Sequence, residues 1–299
     1  MAIDEIKKIC LIGAGSIGCW NSLLFASAGY ECAVYDLSAK ALASAPERQQ
    51  WHIAMAQARG MFTPGQVAAA TKRISYTSSL ETALEGADLV SESVLEKIEL
   101  KRKVHQQIDA LCPPHVILTT NSSSLLVSDI EDAVSRRDRF AALHTNMLGR
   151  LMEVVPGPET DPEVIDILTR FIVSCDQAPV VMLKEKDGYL ANSMLFSWLK
   201  TSLLLVADGY GSFADVDRSW CAAQNAQIGP IALVDGVGLD LIVDIFDSQH
   251  GKSGDEDFKR AADFLRTYLE RGLLGMKSGE GFYHYPDPAW QQPDFIMGR

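Results

Sequence analysis

The sequence predicts an α/β protein: an N-terminal Rossmann-type, doubly wound and mostly parallel sheet over residues 1–186, followed by an all-helical C-terminal domain over residues 187–299. Three observations carry this. Short apolar runs alternate with helical stretches from Ile6 to Leu183, the pattern of helices covering both faces of a parallel sheet. A glycine-rich turn joins the first run to the first helix, and beyond Leu183 strand candidates all but disappear. The length, 299 residues, also exceeds the usual size of one hydrophobic core, so two domains are expected.

Taken in order, Ile6 to Ile12 is an apolar run bounded by glycine, Ser16 to Ala28 is helical, and Glu31 to Tyr35 is a second apolar run, which together make a β-α-β unit. Helical patterns fill Ala39 to Ala70. Strand-like segments recur at Ile74 to Tyr76, Ala87 to Ser91, Val116 to Thr119, Phe140 to His144, Glu153 to Pro156 and Pro179 to Leu183. The second domain reads as helices at Gly188 to Asp208, Phe213 to Ala223, Ile231 to Phe246 and Phe258 to Arg271.

Composition narrows the function classes. Hydrophobic residues make up 47% and charged residues 22%, which is ordinary for a globular fold. A net charge of -12 disfavours nucleic acid and anionic membrane surfaces, both of which attract clustered Lys and Arg. The six cysteines lie far apart with no metal-ligand spacing, so free thiols and no metal are expected. The N-terminus lacks signal-peptide character, and the apolar stretch Met194 to Val206 is interrupted by Lys200 and reads as too short to span a bilayer. A cytoplasmic protein without membrane or nucleic-acid partners is the expectation.

The turn Gly13-Ala14-Gly15-Ser16-Ile17-Gly18 fits dinucleotide binding because it follows a strand and opens a helix. Gly13 permits the turn, Gly15 lets the backbone approach a pyrophosphate, and Gly18 lets helix and strand pack closely. Asp36, at the end of the second strand, is placed to accept the ribose hydroxyls and to repel a 2′-phosphate; no Arg follows it in Leu37-Ser38-Ala39. NAD rather than NADP is therefore expected. A helix cap is the other reading of Asp36.

Three further segments set polar residues in apolar surroundings at or beside strand ends: Thr120 to Ser124, Leu143 to Asn146 and Leu151 to Val155. Their order resembles that of the 3-hydroxyacyl-CoA dehydrogenase family over nearly the whole chain. Glu92-Ser93-Val94-Leu95-Glu96 with Lys101 is similar to that family's acidic segment, Asn121-Ser122-Ser123-Ser124-Leu125 to its N-T-S-S-L loop, and Arg139 to His144 to the stretch ending in its catalytic histidine. Gly188-Tyr189-Leu190-Ala191-Asn192, Ile228-Gly229-Pro230, Val237 to Asp240 and Leu274 to Tyr283 resemble later motifs.

The resemblance implies that His144 is the general acid/base, that Glu153 orients it, and that Ser123 and Asn192 hold the substrate oxygen. It also implies that Glu96, Lys101 and Asn121 contact the cofactor, and that the protein is a homodimer working in fatty acid metabolism. The chemistry agrees: hydride loss from a secondary alcohol requires loss of the hydroxyl proton, and a histidine, titrating at about 6.5, suits that task. Ser122 to Ser124 also fit a helix-capping loop, Asn192 a cap, and Glu92 and Lys101 surface helix positions. His52, His105, His115, His250 and His284 read as structural.

Departures from the family affect the substrate. The stretch from His144 to Glu153 is shorter and lacks the family's aromatic residues and proline, and it introduces Arg150, expected to meet a substrate carboxylate, with Asn146 beside it. Basic residues that would serve coenzyme A phosphates are sparse after Asp36: Lys40, Arg48, Arg59, Lys72 and Arg73. The leading expectation is an NAD-dependent L-3-hydroxyacyl-CoA dehydrogenase. The alternatives are a dehydrogenase of a small carboxylate-bearing alcohol or aldehyde of the carnitine, gulonate or pyridine-aldehyde type, and a non-catalytic NAD-binding protein of the crystallin type.

Overall fold

The computed structural model describes residues 5–147 and 149–298, so Leu148 of the His144 to Glu153 stretch, like the first four residues and Arg299, lies outside the described residues. The first half alternates as expected: β1 (Lys8–Ile12), α1 (Ser16–Ser27), β2 (Glu31–Tyr35), α2 (Ala39–Ala58), α3 (Pro64–Thr71), β3 (Ile74–Thr77), α4 (Leu80–Leu84), β4 (Leu89–Glu92), α5 (Ile98–Leu111), β5 (Ile117–Thr120), α6 (Val127–Ile130), β6 (Phe140–Thr145), β7 (Leu151–Pro156), α7 (Pro162–Ser174) and β8 (Ala178–Val181). The helical patterns read over Ala39 to Ala70 form two helices. Gly60 at φ 67° ends the first, and Thr63 with Gln66 forms a capping box that starts the second, with Pro64 at its first turn.

The strands form one eight-stranded sheet in the order β3-β2-β1-β4-β5-β6-β7-β8. Strand order reverses between β1 and β4, which are parallel neighbours, and this opens a crevice at their carboxyl ends. The expected parallel run breaks once: β7 is antiparallel to β6, with His144 directly opposite Glu153. Only residues 146–150 connect those strands, and so short a link cannot make the crossover that parallel pairing needs. Alternate strand residues feed two cores. Ile9, Leu11, Leu143, Met152 and Val154 pack on the face with Phe25 and Phe171, while Cys10, Ile12, Ala142 and Val155 pack on the face with Ile108 and Phe140.

The chain divides into two compact units, the first ending at Leu190 and the second beginning at Ala191. The second unit is built from α8 (Tyr189–Ala207), α9 (Phe213–Gln224), α10 (Pro230–Val237), α11 (Leu239–Ser253) and α12 (Glu256–Leu269). The helix read from Ile231 to Phe246 is split by Gly238, whose φ of 103° no helix accommodates. The apolar stretch Met194 to Val206, read as too short to span a bilayer, belongs to α8, whose 19 residues are long and apolar enough, by length and composition, to cross one. Its inward side is a protein core, however. Leu199 and Leu203 are fully buried with Ile231, Leu239 and Phe246, and Lys200 pairs with Asp255 and lies 4.4 Å from the centre of the Phe258 ring.

Two buried carboxylates organise this unit. Asp217 accepts the main-chain N–H groups of Ile231 and Ala232 at the start of α10, at 2.7 and 2.9 Å, and the Tyr283 hydroxyl at 2.8 Å. Asp235 accepts from the Phe282 and Tyr283 N–H groups. Burial pushes the Asp217 carboxyl up to about 6, against the pull of the Tyr283 and main-chain hydrogen bonds. Because that value lies above the ordinary unfolded one of about 3.9, the contribution is fully present below pH 3.9 and is lost as pH rises through about 6. Asp217→Asn removes this titration. In urea denaturation, its stability relative to the wild type is expected to improve by about 2 kcal/mol between pH 4 and pH 7; a difference constant across that range would count against the assignment.

Candidate active site

The glycine turn has the geometry its sequence suggested. Gly13 adopts φ 107°, and a Cβ there would lie 2.8 Å from the Ser93 carbonyl oxygen. At Gly18 a Cβ would lie 1.9 Å from the Gly13 carbonyl oxygen, so only glycine permits this packing of α1. Gly15 faces open space, with nothing within 4 Å of where its Cβ would be. It caps α1 without any side-chain bond, and the first turn, which holds Ser16 and Ile17, contains no acidic residue. Free N–H groups at an uncapped helix start beside open space suit an anionic pyrophosphate.

Asp36 completes this cradle. Its Oδ2 accepts the Ala14 N–H and its Oδ1 the Ser38 N–H, each at 2.8 Å, which holds the carboxylate still and leaves further lone pairs for ribose hydroxyls. Beside it lies a cavity of about 380 Å³ lined by Gly13, Gly15, Asp36, Leu37, Val94 and Leu95 among others, none of them basic. These features fit NAD. One supporting residue escaped sequence reasoning: Arg48 donates from α2 to the Ala14 and Ala41 carbonyls, both at 3.1 Å, under the turn. No local pattern signals that contact.

At the other end of the same sheet edge, His144 closes β6. Its Nδ1 lies 3.0 Å from Glu153 Oε2 and its Nε2 2.9 Å from Ser123 Oγ. With a carboxylate on Nδ1, that nitrogen carries the proton and Nε2 accepts from the serine. Glu153 is buried, and its other oxygen accepts the Leu190 N–H at 3.0 Å, so the carboxylate is fixed at both ends. The Tyr189 ring stands edge-on to the imidazole at 5.1 Å. Sequence reasoning did not single out that tyrosine for the site.

Glu92 and Lys101 are not the surface helix residues that one reading made them; both are buried. Lys101 Nζ lies 2.8 and 3.2 Å from the two Glu92 oxygens and 3.3 Å from Glu96 Oε2. Glu92 also accepts from the Thr120 hydroxyl at 2.7 Å and from His105 at 3.2 Å. Burial alone would raise the Glu92 carboxyl, but the hydrogen bond and charge of His105, and then Lys101, outweigh it and hold it at about 2. Glu96 is likewise held low: burial opposes, while Lys101 and the donors of Ser122, Ser124 and Ser123 prevail. A helix carrying Glu99, Arg102 and Lys103 in sequence gives no hint that its Lys101 and His105 face inward.

The remaining candidates divide. Asn121 Oδ1 accepts the Thr145 N–H at 2.9 Å and so ties β5 to the end of β6. The Asn146 N–H donates to the Leu151 carbonyl at the mouth of the hairpin. Arg150 is not brought to the His144 group. Its guanidinium pairs with Asp176 and donates to the Asp176 carbonyl, because Leu151 of β7 pairs with Ala178 of β8 and the flanking residues meet beyond it. Asn192 lies on α8 in the second unit. Among the described residues no group of three or more His, Cys, Asp or Glu could hold a metal ion.

Comparison with known proteins agrees with these features. Residues 8–186 match the family model of the 3-hydroxyacyl-CoA dehydrogenase NAD binding domain, and residues 188–285 match that of the 3-hydroxyacyl-CoA dehydrogenase C-terminal domain. A probable 3-hydroxybutyryl-CoA dehydrogenase of Bacillus subtilis is 31% identical over 95% of this chain and 99% of its own. A solved diketoreductase, described for substrate-directed dual catalysis of dicarbonyl compounds, is 31% identical with a TM-score of 0.85, over 94% of this chain and 99% of its own. An NAD+-dependent dismutase, 5-formyl-3-hydroxy-2-methylpyridine 4-carboxylic acid 5-dehydrogenase, is 25% identical with a TM-score of 0.69, over 98% of this chain and 93% of its own.

Proposed function

Since the chain belongs to the 3-hydroxyacyl-CoA dehydrogenase family of NAD-dependent oxidoreductases acting on CH–OH groups, we propose that it interconverts an L-3-hydroxyacyl-CoA and its 3-oxo product, with His144 as the general acid/base. The observation that carries this reading is the His144 imidazole, held between a buried carboxylate on Nδ1 and the Ser123 hydroxyl on Nε2 at the carboxyl edge of the sheet. Bound in the cradle of Gly13, Gly15 and Asp36, NAD supplies the hydride acceptor. In the oxidative direction, Nε2 takes the substrate hydroxyl proton, and Glu153 stabilises the imidazolium that forms. Ser123 is within reach of the same oxygen and orients it, and Asn192 joins it in this reading through the likeness of its motif.

One observation favours a second reading, a compact dicarbonyl or hydroxy-acid substrate without coenzyme A. Of the sparse basic residues after Asp36, Arg48 is turned in to the Ala14 carbonyl, and Arg73, just past α3, donates back to the Ala69 carbonyl of that helix, so few remain for an adenosine phosphate. Steady-state assays with NADH and acetoacetyl-CoA, run beside free 3-oxo acids and diketones, separate the two. Turnover of the thioester at least about ten-fold more efficient is expected, and no turnover of any 3-oxoacyl-CoA would defeat the leading reading; NADH binding without turnover of anything would favour a binding protein.

The second unit further supports a homodimer. Met194 on α8 is 69% exposed, and Trp198, Leu205, Tyr210 and Trp220 line an apolar groove of about 450 Å³, more apolar surface than an isolated unit needs. Light scattering is expected to give twice the chain mass, and a monomer at micromolar concentration would refute the assignment.

A further inference from the structure

Glu96 and Lys101 lie in a motif associated with the cofactor, yet their contacts lead to the base. Glu96 Oε1 accepts the Ser123 and Ser124 N–H groups, each at 2.9 Å, together with the hydroxyls of Ser122 and Ser124. Its Oε2 faces Lys101 Nζ. Lys101 is fixed by Glu92, and Glu92 by His105 and by Thr120, the last residue of β5. The Glu92 carbonyl also accepts the Asn121 N–H at 2.8 Å, so one buried residue grips the start of the serine loop by main chain and side chain alike. Ser123, in the middle of that loop, is the residue whose hydroxyl meets His144 Nε2.

We propose that the buried group of Glu92, Lys101 and His105, acting through Glu96, is a positioning device for the base: it sets the Ser122 to Ser124 loop and thereby the Ser123 contact with His144. The inference rests on the reading of His144 given above. A serine-rich loop outside regular structure has conformational freedom to lose, and here several donors converge on one carboxylate oxygen. Burying an ionic cluster is weak support for stability, since apolar replacements of similar volume often do as well, but it gives a direction that apolar packing does not. His105 contributes through its Nε2, 3.2 Å from the Glu92 carboxylate, while its Nδ1 is buried without a hydrogen-bond partner among the described residues. Its ring packs edge-on against Phe140 at 4.9 Å, which locks its orientation toward Glu92.

The test combines kinetics with cofactor binding and with the imidazole itself. Lys101→Met is expected to lower kcat about 30-fold and His105→Phe about five-fold, with His105→Gln, which keeps a donor toward Glu92, recovering to within about two-fold. The Kd for NADH, read by fluorescence, stays within about two-fold in both His105 variants, which touch no residue assigned to the cofactor. In the cofactor-free protein the 15N resonance of His144 Nε2, assigned by its loss in His144→Gln, moves in Lys101→Met and His105→Phe and returns in His105→Gln. Should Lys101→Met not fold, Glu96→Gln on the half-exposed residue cuts the same link and is expected to match it. A raised Kd for NADH with an unmoved imidazole resonance would make Lys101 a cofactor ligand. A lowered Tm with kcat and resonance unchanged would make the cluster structural only. If His144→Gln turns over like the wild type, the underlying reading of the base fails; if it is inactive while Lys101→Met and His105→Phe are unaffected, only this inference fails.

Discussion

His144→Gln is expected to lower kcat by about a thousand-fold while leaving the Kd for NADH within about two-fold. The split follows from where the imidazole stands. It touches Ser123, Glu153 and Tyr189, not the glycine turn or Asp36, so cofactor affinity has no reason to change. What is lost is the acceptor for the alcohol proton. Without one, the alcohol would have to give its hydroxyl proton to water, at a barrier higher by about 4 kcal/mol for the stated loss. Glutamine is chosen because it preserves bulk beside Tyr189 and a donor toward Glu153, so the buried carboxylate is not left unpaired. Turnover within a few-fold of the wild type in stopped-flow or steady-state assays would refute the role of His144 outright.

The parts of this site that were legible in the sequence are those set by neighbours along the chain. The strand, turn and helix around Gly13, Gly15 and Gly18 depend on residues within one short segment, and the same holds for Asp36 at the end of β2. The capping box at Thr63 and the left-handed glycines at Gly60 and Gly238 are local too, and were passed over because apolar periodicity runs straight through them. Pairing across the fold is a different matter. That Glu153 stands opposite His144 follows from the antiparallel register of β6 and β7, and the nine-residue spacing alone allows other placements. Lys101 looks like a solvent residue until Glu92, from β4, is brought against it, with Thr120 of β5 bonded to the same carboxylate. In the sequence Arg150 is read with only its chain neighbours in view, and the residue it pairs with, Asp176, arrives through the register of β7 and β8.

Asp36→Ala is expected to move the two cofactors in opposite directions, and that makes it the most informative change at the cradle. The carboxylate is anchored by the Ala14 and Ser38 N–H groups at 2.8 Å, so it presents its remaining lone pairs without a search of rotamers. Losing charge-assisted bonds to the ribose hydroxyls, worth about 1.5–3 kcal/mol each, raises the KM for NAD+ by about 10- to 100-fold. The same loss removes a negative charge from the position a 2′-phosphate would occupy, so the KM for NADP+ falls. The ratio of kcat/KM values for NAD+ over NADP+ should therefore drop by about 100-fold or more. A purely architectural Asp36, needed only to accept the Ala14 N–H and hold the turn, predicts something else: both cofactors would bind worse by a common factor, and the ratio would stay where it was. Measuring kcat/KM for NAD+ and NADP+ with one substrate decides between the two. The cavity lining supports the first outcome, since no Lys or Arg lines the space beside Asp36 to favour a phosphate while the carboxylate is present.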